Sequence, residues 1–191
     1  MKYIAVFCGS SSGNEKIFAE QAFQLGKAIV RRGYGIVYGG ARVGLMGAVA
    51  NGALTEGGEV IGVIPEFLKQ KELQYKDLTT LHVVETMHER KALMSELSDA
   101  IIALPGGYGT MEELFEMLTW AQLALHKKPS GLLNTEGYYN SLIAMSEKMI
   151  EKGFLKEEYR NLLIIDSDIE ILLDKIENYV PLTNDKWFEV N

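Results

Sequence analysis

Short apolar runs rich in Val and Ile alternate with longer amphipathic segments along the whole chain. Residues 2–8 read as a strand, followed by a helix over 15–32 in which Phe18, Ala22, Leu25 and Ile29 share one face. A strand at 35–38 leads through a glycine-rich turn into a small-residue helix at 45–56. The next strand, 59–64, stops at Pro65, and the lysine-rich stretch 67–78 reads as a loop. Further strands at 81–85, 100–104, 131–133 and 163–165 alternate with helices at 87–98, 111–126, 138–152 and 169–179. Strands with no polar face, each separated from the next by a helix, require a parallel sheet covered on both sides. The expected architecture is a single doubly wound, Rossmann-like α/β domain over residues 1–191, with a mostly parallel sheet. Ligands of such domains bind outside the carboxyl ends of the strands, so function is expected in the strand-to-helix turns.

Composition narrows the function classes. The 191 residues are 47% hydrophobic and 24% charged, the balance of a globular rather than a disordered chain. A net charge of −7 argues against a general binder of nucleic-acid polymers or anionic membranes. A small phosphorylated ligand needs only a local cradle and is still compatible. Cys8 is the single cysteine and ends an apolar run, so it reads as a buried free thiol. With no secretory leader and no apolar run of membrane-spanning length, a reducing, cytoplasmic location is expected. His82, His88 and His126 lack paired ligand spacing, and no metal site is expected.

Three glycine-rich turns stand out, at residues 8–13 (CGSSSG), 39–47 (GGARVGLMG) and 105–110 (PGGYGT). Glycine admits a phosphate close to the backbone, and the following helix N-terminus supplies N–H donors. One such turn is ordinary in any tight strand-to-helix connection, whereas three on one sheet edge suggest a binding site. Gly9, Ser10, Gly40, Gly44 and Gly106 are the candidate contacts they contribute. Neither G-x-G-x-x-G nor a Walker loop occurs, which favours a mononucleotide or sugar phosphate over a dinucleotide.

Arg90 shares a helical face with Leu93, Met94 and Leu97, the stripe expected to pack on the sheet, and lies near a helix N-terminus. A guanidinium there needs an anionic partner, either a protein carboxylate or a ligand. Lys91 points the same way or faces water. Glu112 and Glu113 follow the third turn, and Thr110-Met111-Glu112-Glu113 has the form of a capping box with Thr110 as N-cap. The alternative turns one of the two carboxylates into a pocket. Residues 114–125 are apolar around most of the helix circumference, which requires an internal helix or a partner subunit, and a homodimer is the expectation. Lys69, Lys71 and Lys76, interleaved with Glu72 and Asp77, read as a solvated loop or a lid.

The run PGGYGTMEE at 105–113, with MHERK at 87–91 and GGARVGLMG at 39–47, resembles the Lonely Guy family of cytokinin riboside 5′-monophosphate phosphoribohydrolases. The resemblance extends from the first glycine turn to about Tyr179. It implies a Rossmann-like homodimer that splits adenosine-type 5′-monophosphates into free base and ribose 5-phosphate without a metal or redox cofactor. By motif position, Arg90 and Glu113 match the family's catalytic pair. Lys91, Gly107, Tyr108, Gly109, Thr110, Met111, Glu112 and Thr119 match nucleotide-contacting positions, and Glu72 matches a ligand-contacting glutamate in a variable loop. A carboxylate suits this chemistry because positive charge develops on the sugar as the glycosidic bond breaks. Two rivals remain at this point. One is a non-catalytic nucleotide carrier. The other, a pyridoxal-phosphate lysine decarboxylase, needs a Schiff-base lysine, for which Lys91 is the one candidate near the proposed pocket.

Overall fold

The computed structural model describes residues 1–69 and 78–182. The lid reading of Lys71, Glu72, Lys76 and Asp77 lies outside them. Seven strands, β1 (Tyr3–Phe7), β2 (Gly35–Tyr38), β3 (Val60–Pro65), β4 (Thr80–Val84), β5 (Ala100–Ala103), β6 (Ser130–Leu133) and β7 (Leu163–Asp166), form one sheet in the order β4-β3-β2-β1-β5-β6-β7. Every pairing is parallel, with Ile4 opposite Ile36 on one side and Ala100 on the other. The chain winds outward from β1 to β4, then returns to β5 on the far side of β1. Strand order therefore reverses between β1 and β5.

The helices are α1 (Lys16–Arg31), α2 (Gly44–Thr55), the single turn α3 (Glu66–Lys69), α4 (Met87–Leu97), α5 (Tyr108–Gln122), α6 (Asn140–Glu151) and α7 (Ile169–Glu177). On one face of the sheet, Ala22, Leu25 and Ile29 of α1 pack with Val49 and Ala53 of α2 and with Leu172 and Ile176 of α7. On the other, Met94 of α4 and Met117 of α5 cover Ala5, Phe7 and Val37. Strands β1, β2, β3, β5 and β6 are buried throughout, as their largely apolar sequences require, while edge strand β4 is partly exposed. Two glycines serve packing alone: a Cβ on Gly26 would sit 2.1 Å from the Val49 carbonyl and one on Gly52 2.0 Å from that of Phe23, so α1 and α2 touch backbone to backbone.

Three expectations need correcting. The stretch read as a loop from residue 67 opens with the helical turn α3, and β3 includes Pro65 as its last residue. More consequentially, the helix read as 111–126 runs from Tyr108 to Gln122, with Gly107 as N-cap and no side-chain cap. Thr110 is thus the third helical residue and cannot cap, so the proposed capping box does not exist. At the other end Ala124 takes a left-handed φ of 57° and the Leu125 N–H returns to the Trp120 carbonyl, which stops the helix before His126. No helix among the described residues is long and apolar enough to cross a membrane.

Candidate active site

The turns after β1, β2 and β5 converge at the carboxyl edge where strand order reverses, around a cavity of about 310 Å³. Gly9 and Ser10 line it from the first turn, Gly39 and Met46 from the second, and residues 107–110 from the third. Met87, Arg90 and Met94, spaced along one stripe of α4, and Glu113 of α5 complete the wall.

The third turn is held from behind. Tyr139 Oη donates to the Leu104 carbonyl at 2.6 Å, the Gly9 N–H to Pro105 at 3.0 Å, and Tyr138 Oη to Gly106 at 2.7 Å. Three consecutive carbonyls are thus each taken by a donor, and the first-turn N–H groups of α5 have no intrahelical acceptor. Helix α4 differs: Thr86, its N-cap, accepts from the Glu89 N–H at 3.1 Å, while the Glu89 carboxylate reaches back to accept from the Glu85 N–H at 2.9 Å, one residue before the cap. The chain caps α4 with its own side chains and leaves α5 open over the cavity. Tyr108, 97% exposed, stands at the mouth.

Arg90 is only 7% exposed, and its guanidinium is clamped by the sheet. Nε donates to the Val63 carbonyl and Nη2 to that of Gly39, each at 3.1 Å, using the carboxyl ends of β3 and β2. Its remaining nitrogen lies 3.5 Å from Glu113 Oε1, close for an ion pair and long for a hydrogen bond. The seat exists because residue 39 has no side chain, since a Cβ there would fall 2.0 Å from Arg90 Nη2.

Glu113, also 7% exposed, sits on the helix face turned to the cavity. Burial raises its carboxyl from 4.5 to about 7; Arg90 and Lys91 oppose that rise while Glu112 and Glu116 reinforce it. A carboxyl half ionised near neutral pH can take or give a proton, which a guanidinium cannot. The Cys8 thiol at the cavity floor is buried and, through burial and the neighbouring Glu113, pushed up, which keeps it protonated and inert.

Of the candidate residues, Gly9, Ser10, Arg90, Gly107, Tyr108, Gly109, Thr110 and Glu113 meet at this cavity. Gly106 lines the adjoining cleft with Gly9 and Tyr138. Gly40 and Gly44 have φ of 80° and 60° and shape the β2–α2 turn rather than the cavity wall. Lys91 is buried against Glu112 and Glu116, off the cavity. Met111 packs with Ala103 and Leu132. Thr119 lies exposed near the far end of α5 beside a separate apolar groove, and Glu72 is outside the described residues. Sequence reasoning did not find the Val63 and Gly39 carbonyls that seat Arg90, the tyrosine pair behind the third turn, or the methionine walls. Gly39 was within a quoted motif, but the partner of a backbone carbonyl leaves no mark in sequence.

Residues 46–176 match the family model described as "Possible lysine decarboxylase". The chain is 47% identical over 180 residues to a cytokinin riboside 5′-monophosphate phosphoribohydrolase of Arabidopsis thaliana, covering 94% of this chain and 84% of that protein. It is 49% identical over 176 residues to a "Probable cytokinin riboside 5′-monophosphate phosphoribohydrolase" of Oryza sativa subsp. japonica, covering 92% and 79%. Among solved structures, the molybdenum cofactor binding protein of Rippkaea orientalis superposes with a TM-score of 0.69 at 24% identity over 92% of this chain and 95% of that one, a likeness of fold.

Proposed function

The chain belongs to the Lonely Guy family, the cytokinin riboside 5′-monophosphate phosphoribohydrolases, and from that membership we propose that it hydrolyses the N-glycosidic bond of cytokinin riboside 5′-monophosphates and of AMP. The observation that carries the reading at the level of residues is Glu113: a buried carboxyl, titrating near neutrality, beside an open helix N-terminus and a tethered guanidinium.

In this reading the nucleotide phosphate sits on the N–H groups of residues 107–110, where the helix dipole and unpaired donors favour a dianion. The C1′–N9 bond breaks with its electron pair leaving on the base. Ionised Glu113 stabilises the positive charge that develops on the ribose and takes a proton from the water that adds to C1′. Glu113 then releases that proton and the departing base takes up its equivalent, so that one water is divided between C1′ and the base, and the products are the free base and ribose 5-phosphate. Arg90 stays charged throughout and acts by position and field. Since ionised Glu113 is the working form, the rate rises with pH through about 7.

The cavity does not suit pyridoxal phosphate. Among the described residues that line it none is lysine, and the nearby Lys91 is engaged by two carboxylates that hold it protonated despite its burial. The homodimer belongs to the same proposal. Leu114 and Met117 of α5 face the core, but Phe115, Leu123 and Leu125 are exposed, and Phe115 and Leu118 line an apolar groove of about 490 Å³ with Ile143, Ile150 and Phe154. A second copy on this face would account for an apolar helix that the monomer leaves uncovered. A single buried thiol fits a reducing, cytoplasmic setting.

The test is incubation of metal-free protein with AMP and with isopentenyladenosine 5′-monophosphate, following released base by chromatography, with both unphosphorylated nucleosides alongside. Base released only from the monophosphates is the expected result. Tight binding of both without release would replace the hydrolase with a carrier.

A further inference from the structure

Two adjacent tyrosines reach the third glycine turn, and their hydroxyls act differently on it. Tyr139 Oη donates to the Leu104 carbonyl at 2.6 Å and Tyr138 Oη to the Gly106 carbonyl at 2.7 Å. The peptide after Leu104 belongs to Pro105, which has no N–H, so that bond anchors the turn and aims no donor. The peptide after Gly106 belongs to Gly107. It is trans, and in a planar trans peptide the N–H points opposite to the C=O. A Gly106 carbonyl held by Tyr138 therefore turns the Gly107 N–H away from Tyr138.

Tyr138 and Gly106 line the adjoining cleft and not the cavity, whereas Gly107 lines both. Among the described residues the Gly107 N–H has no protein acceptor, while its carbonyl accepts from the Met111 N–H at 3.1 Å. Tyr139 is buried and needs a partner for its hydroxyl; Tyr138 is 48% exposed and does not, yet makes the bond. Its ring stands edge-on to both Phe18 and Tyr139, with centroids 6.0 and 4.8 Å away. Glu136, two residues earlier, holds a φ of 52°, left-handed backbone that strains a residue with a Cβ. We propose that Tyr138 is a positioning residue: its hydroxyl fixes the Gly106–Gly107 peptide plane so that the Gly107 N–H donates to the phosphate of the bound nucleotide. The proposal rests on the reading that this turn holds the phosphate.

Affinity and stability should therefore separate between the two tyrosines. Tyr138→Phe removes an exposed hydroxyl from a carbonyl at the edge of an open cleft. The peptide plane is then free to turn, and the phosphate loses one preorganised, charge-assisted donor. Tyr139→Phe instead strips the donor from the carbonyl of buried Leu104, which weakens the fold and leaves the Gly107 N–H aimed as before.

The experiment compares Tyr138→Phe and Tyr139→Phe with the parent in thermal midpoint, in ribose 5-phosphate affinity by calorimetry, and in amide NMR of nitrogen-labelled protein. Ribose 5-phosphate should move the Gly107, Gly109 and Thr110 amide protons of the parent downfield, as donation to an anion does. In Tyr138→Phe the Gly107 response should vanish while those of Gly109 and Thr110 stay. Its ribose 5-phosphate affinity should weaken about tenfold and kcat/KM on AMP by a similar factor, with the thermal midpoint unchanged. In Tyr139→Phe the midpoint should fall by several degrees, with the Gly107 response and the affinity kept. A parental Gly107 response in Tyr138→Phe would overturn the proposal. So would equal losses of affinity in both variants, which would make the tyrosines a common support for the turn. If Tyr139→Phe fails to fold, the Gly107 response of Tyr138→Phe decides alone. No downfield shift at any of the three amides in the parent would take the phosphate off this turn, and the proposal with it. Absence of base release from AMP by the parent would sink the hydrolase reading instead, while the amide responses would still judge Tyr138.

Discussion

The β2–α2 and β5–α5 turns are both dense in glycine, and the demand on glycine differs between them. In the first, Gly40 and Gly44 hold left-handed backbone, and a Cβ on Gly44 would lie 2.3 Å from the carbonyl group of Ser10. The Leu45 N–H also bonds the Gly9 carbonyl at 3.1 Å, so this turn braces the first turn and seats Arg90 through Gly39. In the second, a Cβ on Gly107 or Gly109 would meet nothing within 4 Å, and neither residue has a positive φ. The folded chain gives no reason for glycine at 107 and 109. Close approach of a ligand does. One turn is glycine-rich so that the protein fits itself, the other so that something else fits the protein.

The largest expected effect falls where the bracing turn touches the chemistry. In Gly39→Ala the new Cβ collides with the tips of Arg90 and Met46, which are flexible side chains able to swing aside. The fold should therefore survive with Arg90 displaced. Base release should fall by roughly 10²–10³ in kcat/KM, the usual cost of losing one preorganised electrostatic contact. A variant with near-parental kcat/KM would show that the Arg90 seat is not required.

A second contrast is that Arg90 is tethered by the Val63 and Gly39 carbonyls while Glu113, among the described residues, is paired only with Arg90, at 3.5 Å. An ionised, weakly paired, buried carboxylate destabilises the fold. Its pKa is raised from 4.5 to about 7, so the native state keeps its proton while the unfolded state has lost it. Stability at this site is therefore full below about pH 4.5 and declines as pH rises through 7, by roughly 3 kcal/mol in all. Glu113→Gln cannot titrate and escapes that loss. Denaturant midpoints from pH 4 to 8 should show the variant gaining on the parent up to about pH 7 and holding its lead above it. A gap independent of pH would mean that Glu113 has an ordinary carboxyl and no poised proton.

The fold was largely legible because apolar runs of strand length between amphipathic helices permit few other arrangements, and strand order put the turns on one edge. The glutamate pair was only half legible. Thr110 and Glu113 have the spacing of a capping box, and periodicity near a glycine turn cannot tell whether a helix begins at Tyr108 or three residues later. Where it begins decides whether Glu113 serves the helix or the cavity. Lys91 and Glu112 were each legible as positions matching nucleotide contacts, but their pairing with one another depends on packing that no motif encodes. Thr119 matched by position yet lines the separate apolar groove on the outer face, away from the cavity that holds Arg90 and Glu113.

Gly44→Ala should come next in size. A left-handed φ and a backbone clash that cannot relax by side-chain rotation together cost roughly 2–3 kcal/mol. The thermal midpoint should drop by several degrees, with activity per folded molecule reduced only through the shifted Ser10 turn. A midpoint unchanged from the parent would deny this turn its bracing role.

Gly109→Ala carries the smallest effect and decides the comparison, because the two turns predict opposite signs for the same substitution. Residue 109 lies in the first turn of α5 with ordinary φ and free space around its Cβ position. Alanine there forms helix better than glycine, so stability should hold or rise, by at most about 1 kcal/mol. The methyl group would stand over the N–H groups proposed to hold the phosphate. AMP affinity should weaken about tenfold, equivalent to roughly 1.4 kcal/mol, with kcat at saturation little changed. Stability and affinity measured on one preparation separate the explanations. If Gly109→Ala lost stability as Gly44→Ala does, glycine at 109 would belong to the fold; if it bound AMP as tightly as the parent, the phosphate would rest elsewhere than on this turn.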